Sequence, residues 1–241
     1  METHAVDDET NQEKLSLRNE AWLALAYFFA YLGYLFIHLE GELGHWLSLL
    51  IVPLLLVYGC RRLTSVAPSF CSTLESFGLS KGNLTNGLLW GVVLGLGLSI
   101  LQFSLSRYSQ QIIELIRTGK ALYLFPISVL LMLLTAGLTE EFFFRGFLQG
   151  RLEGLLRSKI VAVLLSSFLF GIYHLPYAYL NPRWPSHGNW KAALALSLGQ
   201  GVPAGLILGT LYARKRNLLA CIALHSLINS LPAMTMIKMK G

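Results

Sequence analysis

Long apolar runs, each closed by a short polar or basic stretch, dominate the chain. Runs near Ala21–Ile37, Trp46–Cys60, Leu88–Phe103, Ala121 onward, Ile160–Leu175, Ala192–Ala213 and Leu218–Met234 predict seven helical spans. Several fall short of the roughly 20 residues that a straight crossing needs, so an eighth, half-buried helix also fits the pattern. Pro53 lies inside the second run, where a membrane helix kinks rather than ends. Pro176 is expected to end the fifth. The fourth run is expected to continue past Glu140 and Glu141 as far as Arg157. Gly91, Gly95 and Gly97 in the third run, and Gly205 and Gly209 in the sixth, predict close helix approach. Residues 1–18 are polar and acid-rich and read as a solvated tail ahead of a membrane domain over 19–241. Residues 63–86 read as a linker, partly an interfacial helix, and 104–120 as a polar amphipathic stretch.

Composition gives the same class. Of 241 residues, 54% are hydrophobic and 13% charged, against roughly 25% charged in soluble domains. The fold class that follows is all-α: a polytopic membrane helical bundle of about 7–8 transmembrane helices. The net charge of +6 does not point to nucleic acid, because the basic residues sit in short loops between apolar runs. Arg61-Arg62 and Arg214-Lys215-Arg216 favour a cytosolic N-terminus, although the loop after the third run opposes that bias. Cys60, Cys71 and Cys221 form no CxxC pair and indicate neither a disulfide framework nor a thiolate metal site.

Charge inside the apolar runs is costly and marks function. Thr139-Glu140-Glu141-Phe142-Phe143-Phe144-Arg145-Gly146 carries two acids and a guanidinium at the end of an almost uninterrupted apolar stretch. In an α-helix Glu141 and Arg145 stand on one face and can pair, leaving Glu140 free for chemistry. His174 interrupts the fifth run, and His225 and Asn229 share a face of the last. Glu140 lies 11 residues from Arg151, His174 15 from Lys159 and His225 9 from Arg216. At 1.5 Å per residue these are comparable depths, roughly 14 to 22 Å from one membrane face. An acid, two imidazoles and an amide at one depth suit hydrolysis of a peptide bond. Glu140 would accept a proton from water and return it to the leaving amine. His225 and Asn229 would donate to the developing oxyanion. Nearby serines lack a GxSxG context.

Glu140-Glu141-x-x-x-Arg145, Phe170-x-x-x-His174 and His225-x-x-x-Asn229, in that order on successive apolar segments, resemble the intramembrane CAAX protease and bacteriocin-processing family. Its type example is the type II CAAX prenyl endopeptidase. The resemblance covers roughly 126–231. It implies a bundle of about eight helices with a conical cavity. In it Glu140 and His174 activate the water, His225 and Asn229 form the oxyanion site, and Glu141 with Arg145 holds the first helix. Phe142, Phe143 and Phe144 either line a groove for a lipidated substrate or pack as ordinary aromatics. No HExxH is present. Glu140, His174 and His225 are an acceptable donor set for a catalytic zinc ion, so a divalent metal is the alternative to the favoured metal-free site. The expected partners are a membrane-associated protein or peptide substrate and membrane lipid. Two competing readings are a non-catalytic scaffold or immunity protein of the same family, and a proton-coupled transporter.

Overall fold

The computed structural model describes residues 2–63, 69–80, 84–106 and 108–238, with side chains omitted at 2–17, 84 and 238. Of the described residues 87% are helical, and none forms a strand. In chain order the helices are α1 (Glu2–Ile37), α2 (Glu42–Leu63), α3 (Phe70–Ser76), α4 (Leu84–Leu105), α5 (Ser109–Arg117), α6 (Ala121–Leu156), α7 (Lys159–Tyr173), α8 (Leu175–Leu180), α9 (Trp190–Lys215) and α10 (Leu218–Lys238). Among the described residues, seven helical segments are long and apolar enough to cross a membrane: Arg18–Ile37, Glu42–Leu63, Thr85–Leu105, Ala121–Leu156, Lys159–Leu180, Trp190–Lys215 and Leu218–Ile237. The protein is an integral, multi-pass membrane protein.

Its residues fall into two compact units. The first comprises Met1–Gly78 and Phe142–Arg214, the second Leu79–Glu141 and Lys215–Gly241. The first part of α6, to Glu141, thus belongs to the second unit and its remainder to the first.

Three departures from the expected helices have local causes. In α2 the stretch Leu47–Ile51 is π-helical, and Val52 N–H bonds to Leu47 O. Pro53 has no N–H to offer at the next position. Ser48 O instead accepts from the Tyr27 hydroxyl at 2.8 Å, and the helix continues through the proline. Pro176 does not end the fifth span. The chain breaks at His174, and Pro176 then occupies the first turn of α8, where a missing N–H costs nothing. The third departure is in α6, which is π-helical over Leu133–Gly137 and Phe142–Gln149. The Glu pair lies in the short α-helical segment between them.

Polar connections are capped locally. Ser69 Oγ accepts from Ser72 N, Asn189 Oδ1 from Ala192 N, and Asn217 Oδ1 from Ala220 N, each three residues into its helix.

Aromatic packing fills the first unit. Phe142, Phe143 and Phe144 are buried at 2%, 0% and 1% exposure. Phe77 stacks on Phe142 at 4.4 Å and meets Phe147 at 6.3 Å, as expected of side chains five apart on a π-helical stretch. Phe143 packs on Phe28, Tyr27 and Tyr31. The three phenylalanines are core, and the groove reading is not supported. Small residues join α7 to α9: a Cβ on Gly201 would stand 2.6 Å from Gly171 Cα, and one on Gly205 2.8 Å from Ser167 Cα. The expected Gly205–Gly209 contact is thus part of a longer stripe that begins at Gly201.

Of two arginines expected to mark a membrane face, Arg151 is buried and Arg61 is half-buried. Glu20, 1% exposed, accepts from Arg61 Nε at 2.8 Å and Arg151 Nε at 3.2 Å. Arg151 also donates to Ser76 O, Ser76 Oγ and Gly146 O, with its guanidinium 4.3 Å from the Phe77 ring centre. The depth count from Arg151 therefore loses its marker.

In the second unit, α4 and α10 pack along their length. Gly91 and Gly95 lie against Ala220 and Leu227, whereas Gly97 faces open space. Ser99 Oγ donates to Leu227 O at 3.0 Å. The amphipathic stretch forms α5, which buries Ile112 and Leu115 with Leu124 and Met234.

Candidate active site

Within the second unit, α6 brings its acids to α10 through a missing side chain. A Cβ on Gly137 would collide with Ser226 Oγ, so only glycine permits this approach. One turn later along α6 come Glu140 and Glu141, and beside Ser226 stands His225. Glu140, Glu141 and His225 are 8%, 0% and 7% exposed. His225 Nδ1 lies 2.7 Å from Glu141 Oε1, a charge-assisted length for a ring N–H donated to a carboxylate. That bond fixes the ring and leaves Nε2 on the side of Glu140, 3.9 Å from Oε2. This second distance is too long for a direct hydrogen bond. Asn229, half-buried, follows one turn along α10.

The remaining site residues lie in the first unit. Arg145, 1% exposed, places its guanidinium 4.5 Å from the Phe170 ring centre and donates to Gly205 O at 3.4 Å. Phe170 in turn supplies the carbonyl that His174 Nδ1 meets at 2.8 Å. With Nδ1–H donated to that carbonyl, the lone pair of a neutral His174 is on Nε2. His174 is half-buried at the break between α7 and α8, its ring edge-on to Phe170 at 4.7 Å.

Glu140, Glu141, His225 and Asn229 therefore share one unit, and Arg145 and His174 the other. Expected as partners of each other, Glu141 and Arg145 each have a partner inside their own unit: His225 for the acid, Phe170 and Gly205 for the guanidinium. From Phe142 the helix is π, which changes the facing of the residues downstream. The Glu141–His225 bond went unread because residues 84 apart carry no periodicity signal. Among the described residues, no three or more His, Cys, Asp or Glu side chains group so as to hold a metal ion.

Residues 121–231 match the family model described as Type II CAAX prenyl endopeptidase Rce1-like. That segment is similar to the Rce1-like family. The six site residues named from sequence all lie inside that Rce1-like segment. No curated protein and no solved structure matches the chain. At family level the Rce1-like assignment supports a CAAX-type intramembrane protease, and the family also includes non-catalytic members.

Proposed function

We propose that the protein is an intramembrane endopeptidase. It hydrolyses a peptide bond of a membrane-associated protein or peptide, prenylated or otherwise hydrophobic, with a water activated by Glu140. The observation that carries this reading is the buried Glu140–His225–Glu141 group inside the Rce1-like segment. Two carboxylates and an imidazole drawn from water into apolar helices are costly unless the chemistry needs them.

Glu140 is the base, and Glu141 is not. The Glu141 oxygen that meets Nδ1 is committed to His225. A water within hydrogen-bond reach of both Glu140 Oε2 and His225 Nε2 fits the 3.9 Å between them. Glu140 accepts its proton as the water oxygen attacks the carbonyl carbon, and the carbonyl oxygen becomes an oxyanion. His225, carrying a proton on Nε2, donates to that oxyanion together with the Asn229 amide. Collapse breaks the C–N bond, and Glu140 returns its proton to the leaving nitrogen. The products are a new carboxyl terminus and a free amine. His174 is proposed to orient the water, on the strength of the Phe-x-x-x-His motif. The N-terminus is proposed to be cytosolic, on the basic turns at Arg62 and Arg214–Arg216.

The test is cleavage by purified protein in liposomes, comparing wild type with Glu140→Gln. Matched prenylated and unprenylated hydrophobic peptides serve as substrates, each with and without chelator. A general base contributes about 10²–10⁴-fold, so cleavage should fall by that factor with the unfolding midpoint unchanged. Equal activity of the two proteins would sink the assignment of Glu140. Absence of cleavage by either protein would favour a non-catalytic family member.

A further inference from the structure

Four backbone carbonyls of α10 near the candidate site accept side-chain hydroxyls. Ser226 Oγ donates to Ile222 O, Ser230 Oγ to Ser226 O, Ser99 Oγ to Leu227 O and Thr235 Oγ1 to Pro232 O. Ile228 O differs. Its helical donor would be the N–H of residue 232, and that residue is Pro232, inside the helix. A proline removes this bond, and its ring pushes the carbonyl four residues earlier away from the helix axis. His225, Asn229 and Pro232 are spaced i, i+4, i+7, so the gap opens on the face of α10 that carries the two proposed oxyanion donors. That face is reachable there: Ile228, Asn229, Leu231 and Pro232 are half-buried, whereas 224–227, 230 and 233–235 are buried. Helix carbonyls point toward the C-terminal end, and side chains lean toward the N-terminal end. Ile228 O therefore lies beyond the Asn229 amide along α10.

We propose that the Ile228 carbonyl binds substrate, accepting the backbone N–H of the residue whose carbonyl is attacked. In an extended chain the N–H and C=O of one residue point to the same edge. A peptide that places its scissile carbonyl at His225 and Asn229 thus presents that N–H to the next acceptor on the same face. The peptide runs antiparallel to α10, with its N-terminal side toward Pro232. Proline just before the cut is excluded, because it has no N–H to give. The inference rests on the protease reading for the identity of the ligand, but not for the released carbonyl.

The test uses the full chain in liposomes and a series of prenylated hydrophobic peptides, each with an ester in place of one amide. An ester removes the N–H and little else. Affinity is read in the Glu140→Gln variant, which leaves the peptide uncut. One ester position, at the residue before the cut, should weaken binding on the order of tenfold. Adding Pro232→Ala restores an N–H that closes on Ile228 O. It should weaken the all-amide peptide by the same factor and abolish its advantage over that ester, with the unfolding midpoint unchanged or raised. A merely structural proline would weaken both peptides alike and preserve their ratio. Pro232→Leu carries the same N–H and covers the case in which the alanine variant fails to fold. If wild type cleaves none of the peptides, the protease reading fails, and the ester pattern still decides what the Ile228 carbonyl does. Equal affinity for every peptide in the series, or a ratio that persists without Pro232, would overturn the inference.

Discussion

Arg151→Met tests the energetics most directly. The substitution keeps an unbranched chain against the Phe77 ring and removes every donor. Lost with the guanidinium are the 3.2 Å contact to Glu20 and the hydrogen bonds to Ser76 O at 3.2 Å, Ser76 Oγ at 2.9 Å and Gly146 O at 2.6 Å. Glu20, 1% exposed, keeps Arg61, whose side chain is 17% exposed, so the buried carboxylate is left undercompensated. The π-helical stretch loses the cap on Gly146 O, and α3 loses its tie to α6. Removing one partner of a buried pair costs about 3–5 kcal/mol. For a chain of this size each kcal/mol moves the midpoint by about 2–4 °C. A fall of roughly 6–20 °C is therefore expected in thermal unfolding followed in detergent. Glu20→Gln should cost a similar amount, because it leaves two guanidiniums facing each other without the carboxylate. The double variant should cost clearly less than the sum, since neither change then strands the other partner. A midpoint drop under about 2 °C for Arg151→Met, or strict additivity in the cycle, would refute the claim that this cluster braces the first unit.

Three further outcomes follow from the packing. Gly137→Ala should destabilise by about 1–3 kcal/mol through overpacking and lower cleavage with it, because α6 must back away from Ser226 and carries Glu141 from His225; unchanged activity would show that the approach is not needed. Phe143→Ala should lower the unfolding midpoint by the equivalent of about 3–5 kcal/mol; a rise in KM at unchanged stability would instead restore the substrate-groove reading. Glu141→Gln, whose amide oxygen can still accept from His225 Nδ1, should reduce cleavage less than Glu140→Gln does, and the reverse order in parallel assays would exchange the two roles.

The parts of the fold that rest on composition and run length were legible in the sequence: the seven spans, the continuation of α6 past the Glu pair, and the persistence of α2 through Pro53. The residue types of the candidate site were legible too. What could not be read was pairing. The Glu141–His225 bond joins residues 84 apart, and nothing in a single sequence shows that the helix changes register at Leu133 and again at Phe142. Arg151 looked like a loop charge because its acid, Glu20, lies 131 positions earlier. Gly137 carried no signal, being one glycine in an apolar run. Pro176 misled for a different reason, since a proline ends a helix from its interior but starts one from its first turn.

The register change in α6 carries the last prediction. The stretch Leu133–Gly137 holds one residue more than an α-helix would use over the same rise, the signature of a π-bulge. Leu134 is 42% exposed, so deleting it removes little buried surface and allows the turn to close as regular α-helix. The two flanks of the bulge would then rotate relative to each other by about 100°. Both flanks are tied to neighbours in the second unit: Leu124 packs with Ile112, Leu115 and Met234, while Gly137 abuts Ser226 and Glu141 bonds to His225. One set must give way. Tighter local hydrogen bonding should therefore come with a lower unfolding midpoint and lost cleavage. Ala inserted at the deleted position should restore both, since it returns the register without the leucine side chain. If the deletion variant unfolds no earlier and cleaves as well as wild type, the bulge is incidental, and the placement of the two acids owes nothing to it.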